Sequence, residues 1–189
     1  MKKWKFVIPM IVVIILIYFF IGYRLSALGA AKNHTFLSKD AELMEEYDTG
    51  STSIFLFESD DEEMYRTVLV EKLGLLFRSR HSTFINYNSD NLQTVGAISF
   101  TMENDAATFL SIVSNNEEVA YIEAGVEPYI ERKEIKKGER IFFLFPFMKQ
   151  IDFLNPMAFD EFGNKLYYYG YPKNTNVFKS EDLKWHKIE

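Results

Sequence analysis

The feature that most constrains the fold of this chain is an uninterrupted apolar run near its N-terminus. Residues 6–23 are 18 consecutive positions without a charged side chain. A helix of that length measures about 27 Å, close to the roughly 30 Å hydrocarbon core of a bilayer. No polar position gives the run a water-facing side, as a surface helix of a globular protein would need. The sequence therefore predicts a single transmembrane helix over residues 6–23.

The residues around this run predict its orientation. Three lysines lie among the first five residues, and Trp4 and Tyr23 suit the two membrane interfaces. The positive-inside rule then makes residues 1–5 a cytoplasmic tail and places the C-terminal part outside the membrane. We therefore expect a single-pass protein of the cell membrane with an extracytoplasmic C-terminal domain.

A cleaved signal peptide is the alternative interpretation of the same run. Small residues between positions 27 and 31 would suit a cleavage site. However, the apolar core of a signal peptide usually has about 7–15 residues, which is shorter than this run. The length therefore favours an uncleaved anchor.

The charge of the outer region excludes one class of partner. The chain beyond the run carries 18 basic and 27 acidic residues, a net charge of −9. Such a surface repels the phosphates of nucleic acids, so we expect no nucleic-acid binding. The chain has no cysteine, which excludes disulfides, thiol nucleophiles and thiolate metal sites. No motif predicts a cofactor.

The rest of the chain has the pattern of a short connector and one β-rich domain. Residues 24–50 are expected to form a juxtamembrane stalk with a short amphipathic helix over 38–47. From residue 51 to 189, short apolar runs alternate with turn residues, which predicts a mainly β domain, an antiparallel sandwich or small barrel. A helix capped by Asn104 would make the domain α+β instead. The predicted strands cover residues 53–57, 64–77 with a bulge at Gly74, 83–87, 92–102, 108–113, 119–123, 129–135, 141–147, 158–159 and 165–171, and residues from 172 onward are expected to be a polar tail.

Residues 58–63 carry five carboxylates and form the densest charge run. Asp60, Asp61 and Glu63 are weak candidates for a calcium site, because this cation prefers oxygen ligands. The spacing lacks the alternating ligands and central glycine of a calcium loop. A solvated hairpin tip is therefore the favoured interpretation.

Two aromatic segments are the best candidates for a partner-binding surface. Residues 141–147 are apolar on both faces of the predicted strand, and three tyrosines share one face of the strand at 165–171. The row of three tyrosines either packs against the rest of the domain or forms an exposed surface for recognition. The residues expected to contact a partner are Phe143, Phe145, Tyr167, Tyr169 and Tyr171.

No motif assigns a catalytic residue. Nucleophile elbows, phosphate loops and dinucleotide-binding glycine patterns are absent from the sequence. The three histidines, His34, His81 and His186, lack metal-ligand spacing and are expected to lie on the surface. An enzyme would need a cleft. That cleft would have to bring together either carboxylates, such as Asp152 and Asp160, or a serine and a histidine, such as His81.

A resemblance to known proteins rests on two segments that contain turns, residues 114–122 and 158–167. The second segment has the A-x-D-x-x-G-x-x-L pattern of a hairpin. With the lysine-flanked anchor, the layout resembles small membrane-anchored or lipoprotein-like extracytoplasmic proteins of Gram-positive bacteria. The resemblance implies a compact β fold facing the cell wall and supplies no known active site. The chain lacks the acylated cysteine of the lipoprotein members.

These observations favour a non-enzymatic binding domain held at the membrane. The expected partner is an envelope protein or an envelope polysaccharide. A cell-envelope hydrolase is one alternative. An immunity-type or sensor-type membrane protein, whose span itself contacts another membrane protein, is a second.

Overall fold

A computed structural model describes residues 4–20, 22–102, 105–173 and 175–188. Strands make up 51% of the structure and form three antiparallel sheets, which confirms the mainly β prediction. Residues 1–3 of the predicted cytoplasmic tail, residue 21 of the predicted span and the proposed helix cap Asn104 lie outside the described residues. The helices are α1 (Trp4–Phe20) and α2 (Ala27–Lys32), with 3₁₀ helices at Ile151–Leu154 and Ser180–Asp182. The strands are β1 (Glu42–Asp48), β2 (Thr52–Ser59), β3 (Met64–Leu73), β4 (Leu76–Asn86), β5 (Leu92–Met102), β6 (Asp105–Ser114), β7 (Tyr121–Val126), β8 (Tyr129–Glu134), β9 (Arg140–Phe145), β10 (Met157–Phe159), β11 (Lys165–Gly170) and β12 (Lys184–Lys187).

Helix α1 covers most of the N-terminal apolar run. It has 17 residues and contains Pro9. The side chains of residues 7–16 are all exposed. Over the described ranges of the chain, no helix has both the length and the apolar composition that a membrane crossing requires.

The chain divides into two compact units. The first unit comprises Met1–Glu62 and Thr67–Ser82, and the second comprises Glu63–Arg66 and Thr83–Glu189. The outer region predicted as one domain from residue 51 onward is thus shared between the two units.

The first unit is organised around the sheet with strand order β1-β2-β3-β4. Its core brings Ala30 and Ala31 of α2 against Phe55, Phe57 and apolar residues of β3. The predicted helix over residues 38–47 is wrong, because β1 occupies residues 42–48 and pairs antiparallel with β2. Helix propensity is a weak preference, and the ladder of backbone hydrogen bonds to β2 overrides it here.

Gly74 forms a turn and not the predicted bulge. Strand β3 ends at Leu73 and β4 begins at Leu76, so the single strand predicted over 64–77 is two strands. Gly74 has a φ of +66°, a conformation that glycine adopts without steric cost. The chain therefore reverses at this position.

The second unit contains two sheets, with strand orders β12-β11-β10-β7-β8 and β5-β6-β9. Buried side chains from both sheets form one core, which includes Leu110, Ile122, Phe143, Phe145 and Trp185. Residues 105–114 form strand β6, so the helical alternative for this segment does not apply. The predicted polar tail contains a strand as well, because β12 pairs with β11 and buries Trp185 in the core.

Candidate functional site

The aromatic residues predicted to contact a partner divide into a buried set and an accessible set. Phe143 and Phe145 are 0% exposed, and Tyr167 is 6% exposed. Tyr169 and Tyr171 are only partly buried. Burial assigns the first three side chains to packing, the alternative that the sequence left open. Contact with a partner stays a prediction, and within this set it is restricted to Tyr169 and Tyr171.

The buried hydroxyl of Tyr167 has a structural role. It accepts hydrogen bonds from the Nδ2 atoms of Asn91 and Asn116, at 3.1 and 3.0 Å. Asn91 precedes β5, and Asn116 follows β6. The phenol therefore ties together the two chain segments that flank the β5–β6 hairpin.

Two solvent-accessible cavities lie beside the two accessible tyrosines. The first has a volume of about 240 Å³ and includes Tyr169 in its wall, and the second has a volume of about 320 Å³ and includes Tyr171. Leu183 lines both, so the cavities adjoin. Strands β4 and β5 also contribute to each of them, through residues 83–85 and 92–99. We call this pair of cavities the tyrosine groove.

The first cavity has an aromatic wall with a fixed geometry. The rings of Tyr169 and Trp185 meet edge to face at 5.6 Å and 63°. Trp185 Nε1 donates a hydrogen bond of 3.2 Å to Thr94 Oγ1, and the Tyr169 hydroxyl is also hydrogen-bonded to Thr94. These bonds hold both rings in place. The polar side chains at the wall of this cavity include Asn88, Asp90, Ser180 and Lys184.

The second cavity combines Tyr171 with a carboxylate. Asp152 lies in the 3₁₀ helix and lines the wall together with Gln150 and hydroxyl side chains of β4 and β5. The sequence singled out Asp152 as a carboxylate that a cleft would need, and the structure places it in one. Its charge also raises the pKa of Tyr169, after the larger effect of burial.

The walls of the tyrosine groove thus combine aromatic residues, uncharged hydrogen-bonding groups, two aspartates and one lysine. Comparison with models of protein families, with curated proteins and with solved structures finds no match. Any function must therefore be inferred from the residues of the chain itself.

A larger cavity of about 620 Å³ lies beside Tyr121, and several of the charged groups that line it already contact neighbouring side chains. The Arg132 guanidinium stacks on the Tyr121 ring at 3.4 Å, and Tyr121 stacks on Phe159 at 4.8 Å. Lys137 Nζ is 2.7 Å from a carboxylate oxygen of Glu117. Because a ligand would have to compete with these contacts, the tyrosine groove is the better candidate.

The acidic run at 58–63 is organised from within the chain. The Asp40 carboxylate accepts hydrogen bonds from Ser59 Oγ at 2.7 Å and from the Asp61 backbone N–H at 3.3 Å. Hydrogen bonds from Ser38 and Ser59 lower the pKa of Asp40. In the part of the chain that the structure describes, no group of three or more His, Asp or Glu side chains is placed to hold a metal ion. The weak candidates Asp60, Asp61 and Glu63 lie in and beside the turn between β2 and β3.

Asp160 orders the turn between β10 and β11. Its carboxylate accepts hydrogen bonds from the Asn164 side chain at 2.8 Å and from the backbone N–H groups of Phe162 and Asn164. These bonds lower the pKa of Asp160, the Asn164 side chain most strongly. A carboxyl group in this state is ionised at neutral pH and is a poor proton donor.

The prediction that all three histidines lie on the surface is wrong for His34. Its side chain is 7% exposed, because it packs against residues of β4 and forms hydrogen bonds with Ser79 and Ser82. His81 is exposed, as predicted. His186 is partly buried and stacks on Tyr168 at 5.2 Å.

The ionisation of Tyr169 gives a test of the groove's geometry. Burial raises the pKa of Tyr169 from its ordinary value of 10.0 to about 12. We expect the difference in tyrosinate absorbance between the wild type and Tyr169→Phe to develop near pH 12. A group whose pKa is raised on folding stabilises the folded state below its unfolded pKa. The contribution of Tyr169, about 3 kcal/mol, should therefore be lost as the pH rises from about 10 to about 12. A difference signal that develops near pH 10 would show that this ring is exposed to solvent.

Proposed function

We propose that the protein is a single-pass, membrane-anchored, extracytoplasmic binding module that holds a neutral polysaccharide of the cell envelope in the tyrosine groove. The observation that carries this proposal is the pair of adjoining cavities that share Leu183 and include Tyr169 and Tyr171 in their walls. Ligand sites are usually concave, with ring faces for contact area and a few polar groups for orientation.

The chemistry of the groove suits a sugar chain better than a protein surface. Cavities of about 240 and 320 Å³ are small recesses, of a size suited to single sugar rings. Aromatic rings offer apolar faces to the C–H groups of a sugar. The carboxylates accept hydrogen bonds from sugar hydroxyls, and the amides of Asn88 and Gln150 both donate and accept them. The aromatic residues that would have formed a broad platform for a protein, such as Phe143 and Phe145, are buried.

The charges of the groove favour a neutral ligand. Asp90 lines the first cavity and Asp152 the second, whereas the first cavity also includes Lys184. The outer region as a whole carries 18 basic and 27 acidic residues. An anionic polymer would be repelled by this field, and a neutral one would not.

The N-terminal run supports the membrane anchor of the proposal. Residues 6–23 are uncharged, and lysines precede them. The apolar side chains that α1 exposes between Val7 and Leu16 would be covered by lipid in this arrangement. A β sandwich formed by the two sheets that share a core would then be held close to the envelope. This raises its effective concentration there.

The experiment measures sugar binding by the full-length protein in lipid nanodiscs. The ligands are neutral oligosaccharides of glucose and of N-acetylglucosamine, with polygalacturonate as the anionic contrast. We expect neutral binding that falls about tenfold or more in Asp90→Asn and in Asp152→Asn, since a hydrogen bond to a charged group contributes about 1.5–3 kcal/mol.

Matched controls are Glu118→Gln and Phe162→Ala, because both residues are exposed and neither lines the groove. They should bind like the wild type. The proposal fails if no neutral oligosaccharide binds, or if the groove and control variants bind equally. It also fails if the groove variants lose capture of an envelope protein and no sugar binds.

A further inference from the structure

His34 is the centre of a hydrogen-bonded chain of side chains in the first unit. Its Nε2 atom lies 2.8 Å from Ser82 Oγ, and its Nδ1 atom lies 3.1 Å from Ser79 Oγ. The imidazole is buried, whereas Ser82 is only partly buried. A buried imidazole is therefore hydrogen-bonded to a serine that is only partly buried.

The hydrogen bonds of Ser79 determine which nitrogen of His34 is the donor and which is the acceptor. Ser79 Oγ donates its proton to the Leu69 carbonyl oxygen at 2.9 Å. A hydroxyl has one proton, so Ser79 must accept from Nδ1–H of His34. Neutral imidazole carries a proton on one nitrogen, and Nε2 is then the acceptor for the Ser82 hydroxyl.

We propose that Ser82 is a nucleophile and His34 its general base in the hydrolysis of carboxylic esters. Ser79 is a positioning residue that fixes the imidazole tautomer. The inference rests on the first unit alone and is independent of sugar binding in the tyrosine groove. Ser82 is hydrogen-bonded to His34, and His34 is hydrogen-bonded to Ser79. Nucleophilic catalysis requires this sequence of nucleophile, base and orienting group.

The reaction balances with water as the only co-reactant. Ser82 Oγ attacks the ester carbonyl carbon while its proton passes to His34 Nε2. The C–O bond to the alcohol then breaks, and the alcohol leaves with the proton from Nε2. Water, deprotonated by His34, attacks the acyl-serine, and collapse releases the carboxylic acid and restores the Ser82 hydroxyl.

The hydroxyl of Ser79, as the group that orients His34, indicates that the substrates are esters and not amides. Ser79 occupies the position that a carboxylate holds in a Ser–His–Asp arrangement. A neutral hydroxyl fixes the tautomer but contributes no charge to stabilise the imidazolium that forms. An alkoxide leaves an ester more readily than an amine leaves an amide, so the weaker acid–base pair suffices for esters.

Backbone hydrogen bonds hold the segment with His34 in place. The N–H groups of Arg24 and Phe77 each donate to the carbonyl oxygen of the other at 2.8 Å, which links this segment to β4. His34 N–H donates to the Ala31 carbonyl at 3.0 Å. The Phe36 ring contacts the imidazole edge-on at 5.9 Å. The arrangement is therefore built into the fold of the first unit.

The experiment treats the full-length protein in nanodiscs with a fluorophosphonate probe and identifies the labelled peptide by mass spectrometry. Hydrolysis of p-nitrophenyl acetate is measured in parallel. We expect label on Ser82 and a rate of labelling that rises with pH along a one-proton curve. Ser82→Ala should abolish the label, and His34→Gln should slow it about 100-fold or more, the usual contribution of a general base.

Two further variants separate catalysis from structure. Ser79→Ala should slow labelling and shift its pH curve, and Ser79→Thr, which keeps the hydroxyl, should restore the curve. The exposed neighbour His81 supplies the control, because His81→Asn should label like the wild type. Thermal unfolding of each variant reports its fold, and Ser82→Ala decides the outcome if His34→Gln does not fold. Absence of label from the folded wild type, label on another serine, or labelling unchanged in folded His34→Gln would overturn the proposal.

Discussion

Replacing Gly125 with alanine is expected to destabilise the second unit by about 4 kcal/mol. Gly125 lies in β7 with a φ of +125°, a conformation that other residues rarely adopt. A Cβ atom there would lie 2.0 Å from the carbonyl oxygen of Tyr129 and 3.0 Å from the Cα atom of Ile130. Both are backbone atoms of β8, so relief of the overlap requires the paired strands to separate.

Gly138 provides the matched control for this prediction. It also has a positive φ, +79°, but a Cβ atom there would meet nothing within 4 Å. Gly138→Ala should therefore cost only the backbone strain, about 1 kcal/mol. Urea unfolding followed by circular dichroism measures both free energies of unfolding. Equal losses in the two variants would show that β8 does not approach Gly125 as closely as the structure has it.

Much of the β architecture was predictable because its signals are local. Apolar runs bounded by turn residues indicated the strands from β5 to β11. The hairpin loop predicted around Gly163 follows from residues adjacent in the sequence, and it joins the paired strands β10 and β11. The residues around Gly138 also predict a hairpin loop, but that prediction is wrong, because β8 and β9 belong to different sheets. Strand β1 was taken for a helix because its partner β2 decides its conformation. Strand β12 was missed because it is short and three of its four residues are polar or charged.

The candidate sites were less predictable because distant residues build them. The sequence named Tyr169, Tyr171 and Asp152, but it could not show which tyrosines the core would cover. Thr94 meets Trp185 across 91 positions, and His34 meets Ser79 and Ser82 across 45 and 48 positions. Such contacts leave no local pattern. An alternation of residues shows that a strand has two faces and does not show what lies against each face.

Replacing Phe145 with alanine is expected to cost about 3–5 kcal/mol of unfolding free energy, as large-to-small changes in a packed core do. Phe145 is fully buried and stacks with Phe143 at 6.0 Å and with Phe147 at 5.4 Å. Its removal leaves a cavity that β6 and β9 cannot close without losing their pairing. The same urea measurement applies.

Phe162→Ala is the control, because Phe162 is 81% exposed and only its backbone N–H is hydrogen-bonded to Asp160. Its effect should stay within about 0.5 kcal/mol.

The comparison of Phe145→Ala with Phe162→Ala also decides between the two roles that the sequence allowed for this aromatic strand. A packing residue lowers stability when it is truncated, whereas a partner-binding residue leaves stability unchanged and weakens only capture of the partner. If Phe145→Ala unfolds at the same urea concentration as the wild type, the strand is a recognition surface and the core described for the second unit is incorrect.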